Sequence, residues 1–282
     1  MAGTQRIART LRGPRLSSWL VAVPVLIFLI LPTLIIVPIS FTPVDHLQFP
    51  PQSLSLRWYE ELFQQAGWLD AALFSLKIAL IVAPVATIVG GLGALAVVRG
   101  ALPHASLVTG LLAAPLIVPA IIYAIAVLLF LGPLHLTGTL PGFVLAHAAI
   151  AVPYPYIVVS AALYRYDADL DLAAMSCGAS RLRTLWHVTL PNIAASVFTG
   201  LLLAFLTSFD DATISFFISS VSEESLPRKM FDNIEFAISP VLAAVATLLT
   251  LVTLCGVGLA IGVQVVSSRR RRVRITEEVE MA

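Results

Sequence analysis

Charge is what this chain has least of. Only 12% of its 282 residues are Asp, Glu, Lys or Arg, about half of the roughly 25% usual in soluble domains. With 59% hydrophobic residues and a mean hydropathy of +0.94, there is too little polar surface to cover a water-soluble fold. The chain reads as an integral membrane protein. A net charge of +1 gives no bulk attraction for nucleic acid. Cysteine is scarce as well: Cys177 and Cys255 lie far apart, which supplies neither a disulfide framework nor a metal site, and each reads as a small apolar filler. No G-x4-G-K-[ST] stretch occurs, so any ATP must be hydrolysed by another protein. His104, His135 and His147 fall without ligand spacing, and no metal is expected.

What is present is a series of charge-free runs. No charged residue lies between Arg15 and Asp45, Lys77 and Arg99, Arg183 and Asp210, or Glu235 and Arg269, and each gap holds the roughly 20 residues that a membrane-spanning helix needs. The longer gap from Arg99 to Arg165 is divided by LGPLHLTGTLPG, Leu131 to Gly142, whose Gly, Pro and Thr suit a tight turn. Six spans follow, at 19–40, 71–98, 105–131, 142–164, 194–217 and 241–266. Residues 1–18 form an N-terminal segment and 267–282 a basic tail. The first apolar run is longer than a secretory signal and lacks a small-residue cleavage site, so it reads as a retained helix. Pro84, Pro115, Pro119, Pro153 and Pro155, with Gly90, Gly91 and Gly93, suit a bundle whose helices approach closely and kink.

Basic residues orient the spans. Thirteen of the 17 fall on one side: Arg6, Arg9, Arg12 and Arg15, Arg99, Arg165, Arg181 and Arg183, and Arg269 to Arg272 with Arg274. Arg57, Lys77, Arg228 and Lys229 fall on or near the other. Positive residues stay in the cytoplasm, which puts both termini and the connection between spans four and five inside.

That connection, Tyr164 to Pro191, reads YRYDADLDLAAMSCGASRLRTLWHVTLP and carries a second helical pattern. Leu170, Ala173, Ala174 and Cys177 repeat at i, i+3, i+4 and i+7, one face of a helix. Asp167, Asp169 and Asp171 place negative charge at its start, where the helix dipole favours it. Gly178 suits a helix end and Ser180 can cap a second short helix, whose face is Leu182, Leu185, Trp186 and Thr189. Such faces can lie on lipid or in a groove of another protein. The first is alanine-rich and lacks Phe or Trp, which makes it a weak lipid anchor and suits close contact with a protein.

The same stretch resembles the EAA motif, E-A-A-x3-G-x9-I-x-L-P, of permease subunits of binding-protein-dependent ABC importers. Here Leu172-Ala173-Ala174, three residues, Gly178, nine residues and Val188-Thr189-Leu190-Pro191 keep the spacing. Leu172 stands where the family has Glu, with Asp171 beside it, and Val188 replaces Ile. The resemblance implies an all-α membrane protein with the six-span type I importer permease fold, and a cytoplasmic coupling segment at 165–191 between spans four and five. It implies that Asp171, Ala173, Ala174, Gly178, Ala179, Ser180, Leu182, Leu185 and Pro191 serve ATPase coupling. It further implies location in the bacterial inner membrane, ATPase subunits as partners, a second permease, identical or homologous, and a periplasmic solute-binding protein. The implied action is alternating access, and the chain itself is expected to bind no cofactor and catalyse no reaction.

The fifth span is interrupted by an acidic pair, Asp210-Asp211, about 24 Å along the axis from Ala194. A carboxylate in a span faces a cavity or a partner; alternatively the helix stops near Phe209 and both acids are wetted at the outer surface. Thr207 to Asp211, Ile214 to Phe217 and Leu226 to Met230 resemble the spermidine/putrescine branch of the permease family. A polyamine would need carboxylates, and aromatic faces such as Phe209 or Tyr123 would add cation–π contacts. An intramembrane enzyme is the rival from another class, but adjacent acids diverge by about 100° on a helix and make a poor dyad. A secondary transporter would carry inverted repeats and broken helices at the midplane.

Overall fold

The computed structural model describes residues 16–64, 67–100, 102–220, 224–236 and 239–254. The expected segment before Leu16, the last span beyond Leu254 and the basic tail lie outside the described residues. Those described are helical, with no strand among them, and the chain divides into two units: residues 1–65 with 236–282, and residues 66–235.

In the first unit α1 (Leu16–Ile39) is strongly apolar, and most of its residues from Trp19 to Leu34 are exposed. An exposed helix that is apolar on every side suits lipid. Its end is held by a knot of polar contacts. The Ser40 hydroxyl donates to the Val37 carbonyl at 2.6 Å and lies 2.7 Å from the Tyr59 hydroxyl, and the Trp58 indole donates to the Thr42 carbonyl at 2.6 Å. Tyr59 and Trp58 belong to α2 (Arg57–Gln64), which buries Trp58 and Leu62. The unit closes with an apolar helix, α13 (Val241–Leu254).

The second unit contains α3 (Trp68–Arg99), α4 (Ala105–Ala113), α5 (Ala120–Leu131), α6 (Leu140–Ala151), α7 (Pro153–Arg165), α8 (Asp169–Ser176), α9 (Arg181–Thr184), α10 (Leu190–Phe209), α11 (Thr213–Ile218) and most of α12 (Leu226–Phe236). Its centre is the mutual packing of α3, α7 and α10, with α6 against α3 and α10. Two glycines make this possible. A Cβ on Gly90 would come within 2.8 Å of backbone atoms of Val152 and Tyr156, and one on Gly200 within 2.8 Å of the Pro155 Cα. Only a missing side chain lets helices meet this closely. Ile78, Val82, Phe143, Ala204 and Ile214 fill the core beside them.

Among the described residues, four helices are long and apolar enough to cross a membrane: Trp19–Ile39, Trp68–Arg99, Leu140–Arg165 and Arg181–Phe209. The expected third span is not one straight helix. Ala105–Leu116 and Ala120–Leu131 meet at 101°, with Pro115 in the short turn that follows α4 and Pro119 at the N-cap of α5. Each proline removes a backbone donor and crowds the preceding turn, so the pair breaks the helix rather than kinking it. The turn expected at Leu131–Gly142 is present: α6 starts at Leu140 behind Thr139, whose hydroxyl accepts the Gly142 N–H at 3.3 Å. The expected fifth span differs at both ends. It begins at Arg181, inside the polar connection, and stops at Phe209, with α11 a separate helix.

Candidate functional site

The polar connection folds as the residue types dictate, up to a rotation of its first helix. Asp167 accepts the Asp169 N–H at 3.0 Å and opens α8. The helix ends at Gly178 with φ 87°. There the Gly178 N–H bonds the Met175 carbonyl at 2.9 Å and the Ala179 N–H bonds the Ala174 carbonyl at 3.1 Å, the paired closure that a left-handed glycine permits. Ser180 then caps α9, accepting the Arg183 N–H at 3.3 Å. Pro191 does not start a separate span. A π turn, Leu185–Thr189, joins α9 to α10, with the Leu190 N–H reaching back to the Leu185 carbonyl. The wider turn gives the Pro191 ring room where an α turn would press it on a carbonyl.

The rotation concerns which residues meet the bundle. Leu170, Ala173 and Cys177, expected on the face offered to a partner, are exposed. The face turned inward is Asp171 with Ala174 and Met175. Asp171 was expected at a docking surface; it is buried instead and accepts three donors. The Tyr166 hydroxyl donates at 2.8 Å, the Thr189 hydroxyl at 2.9 Å, and the Arg99 guanidinium forms an ion pair with the second carboxylate oxygen. Arg99 also lies 4.7 Å over the Tyr166 ring, a cation–π contact. Both oxygens of this carboxylate are thereby bonded, one of them to a fixed positive charge. Leu172 (58% exposed), Leu182 (66%) and Trp186 (60%) face outward, so a mostly apolar strip lies uncovered on the connection. Ala179 and Leu185 are half-buried.

The expected path residues have different surroundings. The Tyr123 hydroxyl donates to the Ala146 carbonyl at 2.8 Å and ties α5 to α6. Phe209 stacks on Phe205 with centroids 5.8 Å apart. The acidic pair splits. Asp210 closes α10 and its side chain is exposed. Asp211 turns inward, 13% exposed, and its Oδ2 accepts the Ile214 and Ser215 N–H groups at 2.8 and 3.3 Å, acting as the cap of α11. His147, read as an isolated histidine, is buried beside it. Its Nδ1 lies 3.1 Å from the Ser208 carbonyl and its Nε2 3.9 Å from Asp211 Oδ2. Arg99, read only as a marker of sidedness, proves to be the partner of Asp171. Its position alone at the end of a charge-free run was the available signal, since a lone arginine there wants an acid nearby.

Residues 101–273 match the model of the binding-protein-dependent transport system inner membrane component family. The chain belongs to this family. It is therefore a multi-pass inner-membrane permease and not an enzyme. The spermidine/putrescine transport system permease protein PotC of Haemophilus influenzae is 32% identical over 227 residues, 80% of this permease and 88% of that one. The putrescine transport system permease protein PotI of Escherichia coli K12 is 32% identical over 242 residues, 83% and 86% of the two chains. PotC of Escherichia coli K12 is 29% identical over 248 residues, 88% and 91%. In fold, the permease is similar to a chain of a bacterial ABC transporter involved in the import of the acidic polysaccharide alginate, with TM-score 0.64, 15% identity, and 85% and 93% of the two chains covered. Permeases of this family work with an ATPase and a solute-binding protein.

Proposed function

We propose that this permease forms half of the translocation path of an ABC importer for a polyamine, with six spans, both termini in the cytoplasm and residues 165–191 as the segment gripped by the ATPase. The observation that carries this is the uncovered strip Leu172, Leu182 and Trp186 on a polar connection whose spacing follows the EAA motif. Exposed apolar side chains on a segment too polar to enter lipid call for a protein partner. Ala173, Ala174, Gly178, Ala179, Ser180, Leu182 and Leu185 shape that surface, and Pro191 with the π turn joins it to α10. In this reading the bent pair α4–α5 makes one span and α13, continued by the apolar residues to 266, makes the sixth. A second permease completes the path and a periplasmic binding protein delivers the solute.

The polyamine assignment is supported by the relatives, all sequence-similar over most of their length, and by the acid at the end of α10. Of the pair, Asp210 is the exposed carboxylate, able to replace water around an ammonium group, with Phe209 beside it in the chain and Tyr123 on α5 as aromatic contacts. The fold neighbour carries an acidic polysaccharide, so the fold alone does not choose the sign of the solute.

Two measurements test the reading. The permease should co-purify with an ATPase whose hydrolysis, in proteoliposomes with the binding protein, rises with putrescine or spermidine. Stimulation by another solute and by neither polyamine would remove the substrate and leave the permease role. Cys177 is exposed, so with Cys255→Ala a membrane-impermeant maleimide should label it in inside-out vesicles and not in right-side-out ones. The reverse pattern would overturn the orientation.

A further inference from the structure

We infer that Asp171 is the clasp through which movement of the coupling segment reaches α3, and that Arg99 is the positioning residue that makes it one. The inference rests on the permease reading above. A segment gripped by an ATPase can move a bundle only through what joins it to that bundle. Two joints are covalent: α7 runs into the segment through Tyr166, and the segment runs into α10 through Thr189 and the π turn. The third core helix, α3, lies 72 residues earlier in the chain than Asp171 and has no covalent joint to it. Along the bundle α3 packs on α7 and α10, but its direct link to the segment must come from side chains at its end.

Asp171 supplies that connection. Its carboxylate holds the Arg99 guanidinium at the end of α3, the Tyr166 hydroxyl at the end of α7 and the Thr189 hydroxyl at the entry to α10. One side chain thereby ties the same ends of all three helices that pack together in the core. Packing does not duplicate this tie. The segment's helix α8 rests on α9 and the π turn, and beside the clasp is a cavity of about 340 Å³ lined by Leu95, Met175 and Leu185 among others. Where apolar side chains would have transmitted force between α3 and α8, there is space. A charged, multiply hydrogen-bonded contact is directional and short in reach, so displacing Asp171 displaces Arg99. Farther along α3, Gly90 sits against the α7 backbone and offers a point about which the helix can turn.

The clasp also accounts for the leucine at 172. The acid next to it on the chain points inward to the bundle, while Leu172 points outward with the apolar strip. Mechanical attachment and partner contact are divided between neighbouring residues.

The test uses the complete importer in proteoliposomes, with the partner permease, ATPase and binding protein, and putrescine or spermidine as probe. Arg99→Gln should assemble and hydrolyse ATP within about twofold of the unmodified complex, while solute carried per ATP falls at least about fivefold. Arg99→Lys, which keeps the charge but loses the planar contact with Tyr166, should recover part of that ratio, to at least about twice the Arg99→Gln value. If Arg99→Gln prevents assembly, Tyr166→Phe, which removes one bond of the clasp, should lower the ratio less but measurably. An unchanged ratio overturns the inference, whether transport and hydrolysis both persist or both fall together. An unmodified complex whose hydrolysis neither polyamine stimulates would instead remove the polyamine assignment, and the same ratio would then be read with the solute that does stimulate it.

Discussion

Asp171 and Asp211 are both carboxylates turned into the protein, but their partners come from different distances along the chain. Asp171 is held by Arg99, Thr189 and Tyr166, which lie 72, 18 and 5 residues away. Asp211 is held by the backbone N–H groups of Ile214 and Ser215, 3 and 4 residues away. The first acid joins separate helices, and the second finishes one local turn. The same functional group therefore serves tertiary connection at one site and secondary structure at the other. What differs is whether the donors are side chains on other helices or orphan amides at a helix start.

Substitution should separate the two. Asp171→Ala leaves the Arg99 guanidinium largely buried without its counter-charge and should cost about 3 kcal/mol, read as a large drop in thermal stability of the purified permease. Asp211→Ala removes only a cap and should cost about 1 kcal/mol, with Asp211→Ser recovering part of it. A loss at Asp211 equal to that at Asp171 would erase the distinction. Thr189→Val removes one of three donors to Asp171 and should cost about 1 kcal/mol. Asp210→Asn should move stability least, by less than about 0.5 kcal/mol, yet lower polyamine uptake about tenfold if the exposed acid meets the solute. Unchanged uptake would take Asp210 off the path.

Much of the local structure was legible because its causes are local. Gly178 as a left-handed helix end, Ser180 as a cap and the turn before Leu140 each depend on residues within a few positions. The orientation of α8 was not legible in this way. An amphipathic count gave the apolar face of Leu170, Ala173 and Cys177, which is exposed, but no sign that Asp171 turns inward to Arg99, whose nearness in space leaves no periodic trace. The break between α4 and α5 was written in Pro115 and Pro119, but prolines are tolerated within many membrane helices, so their presence alone did not distinguish a kink from a break of 101°. At the acidic pair, the stop at Phe209 was one of two readings, and the inward turn of Asp211 depended on amides that only a second helix start could offer. His147 was passed over because ligand spacing was the pattern sought, whereas its neighbours, Ser208 and Asp211, are on another helix and the turn after it.

The π turn at Leu185–Thr189 has a consequence for length as well as shape. It holds one residue more than an α turn would need, and one residue on a helix is worth about 100° of azimuth. Deleting a single residue there would narrow the turn, crowd the Pro191 ring and swing Leu182 a quarter-turn and more around the axis of α10. The partner would then find its strip facing the wrong way. The spacing of nine residues between Gly178 and Val188 is thus a phase setting, and a variant one residue shorter, with the whole strip still in place, would be enough to put it out of step.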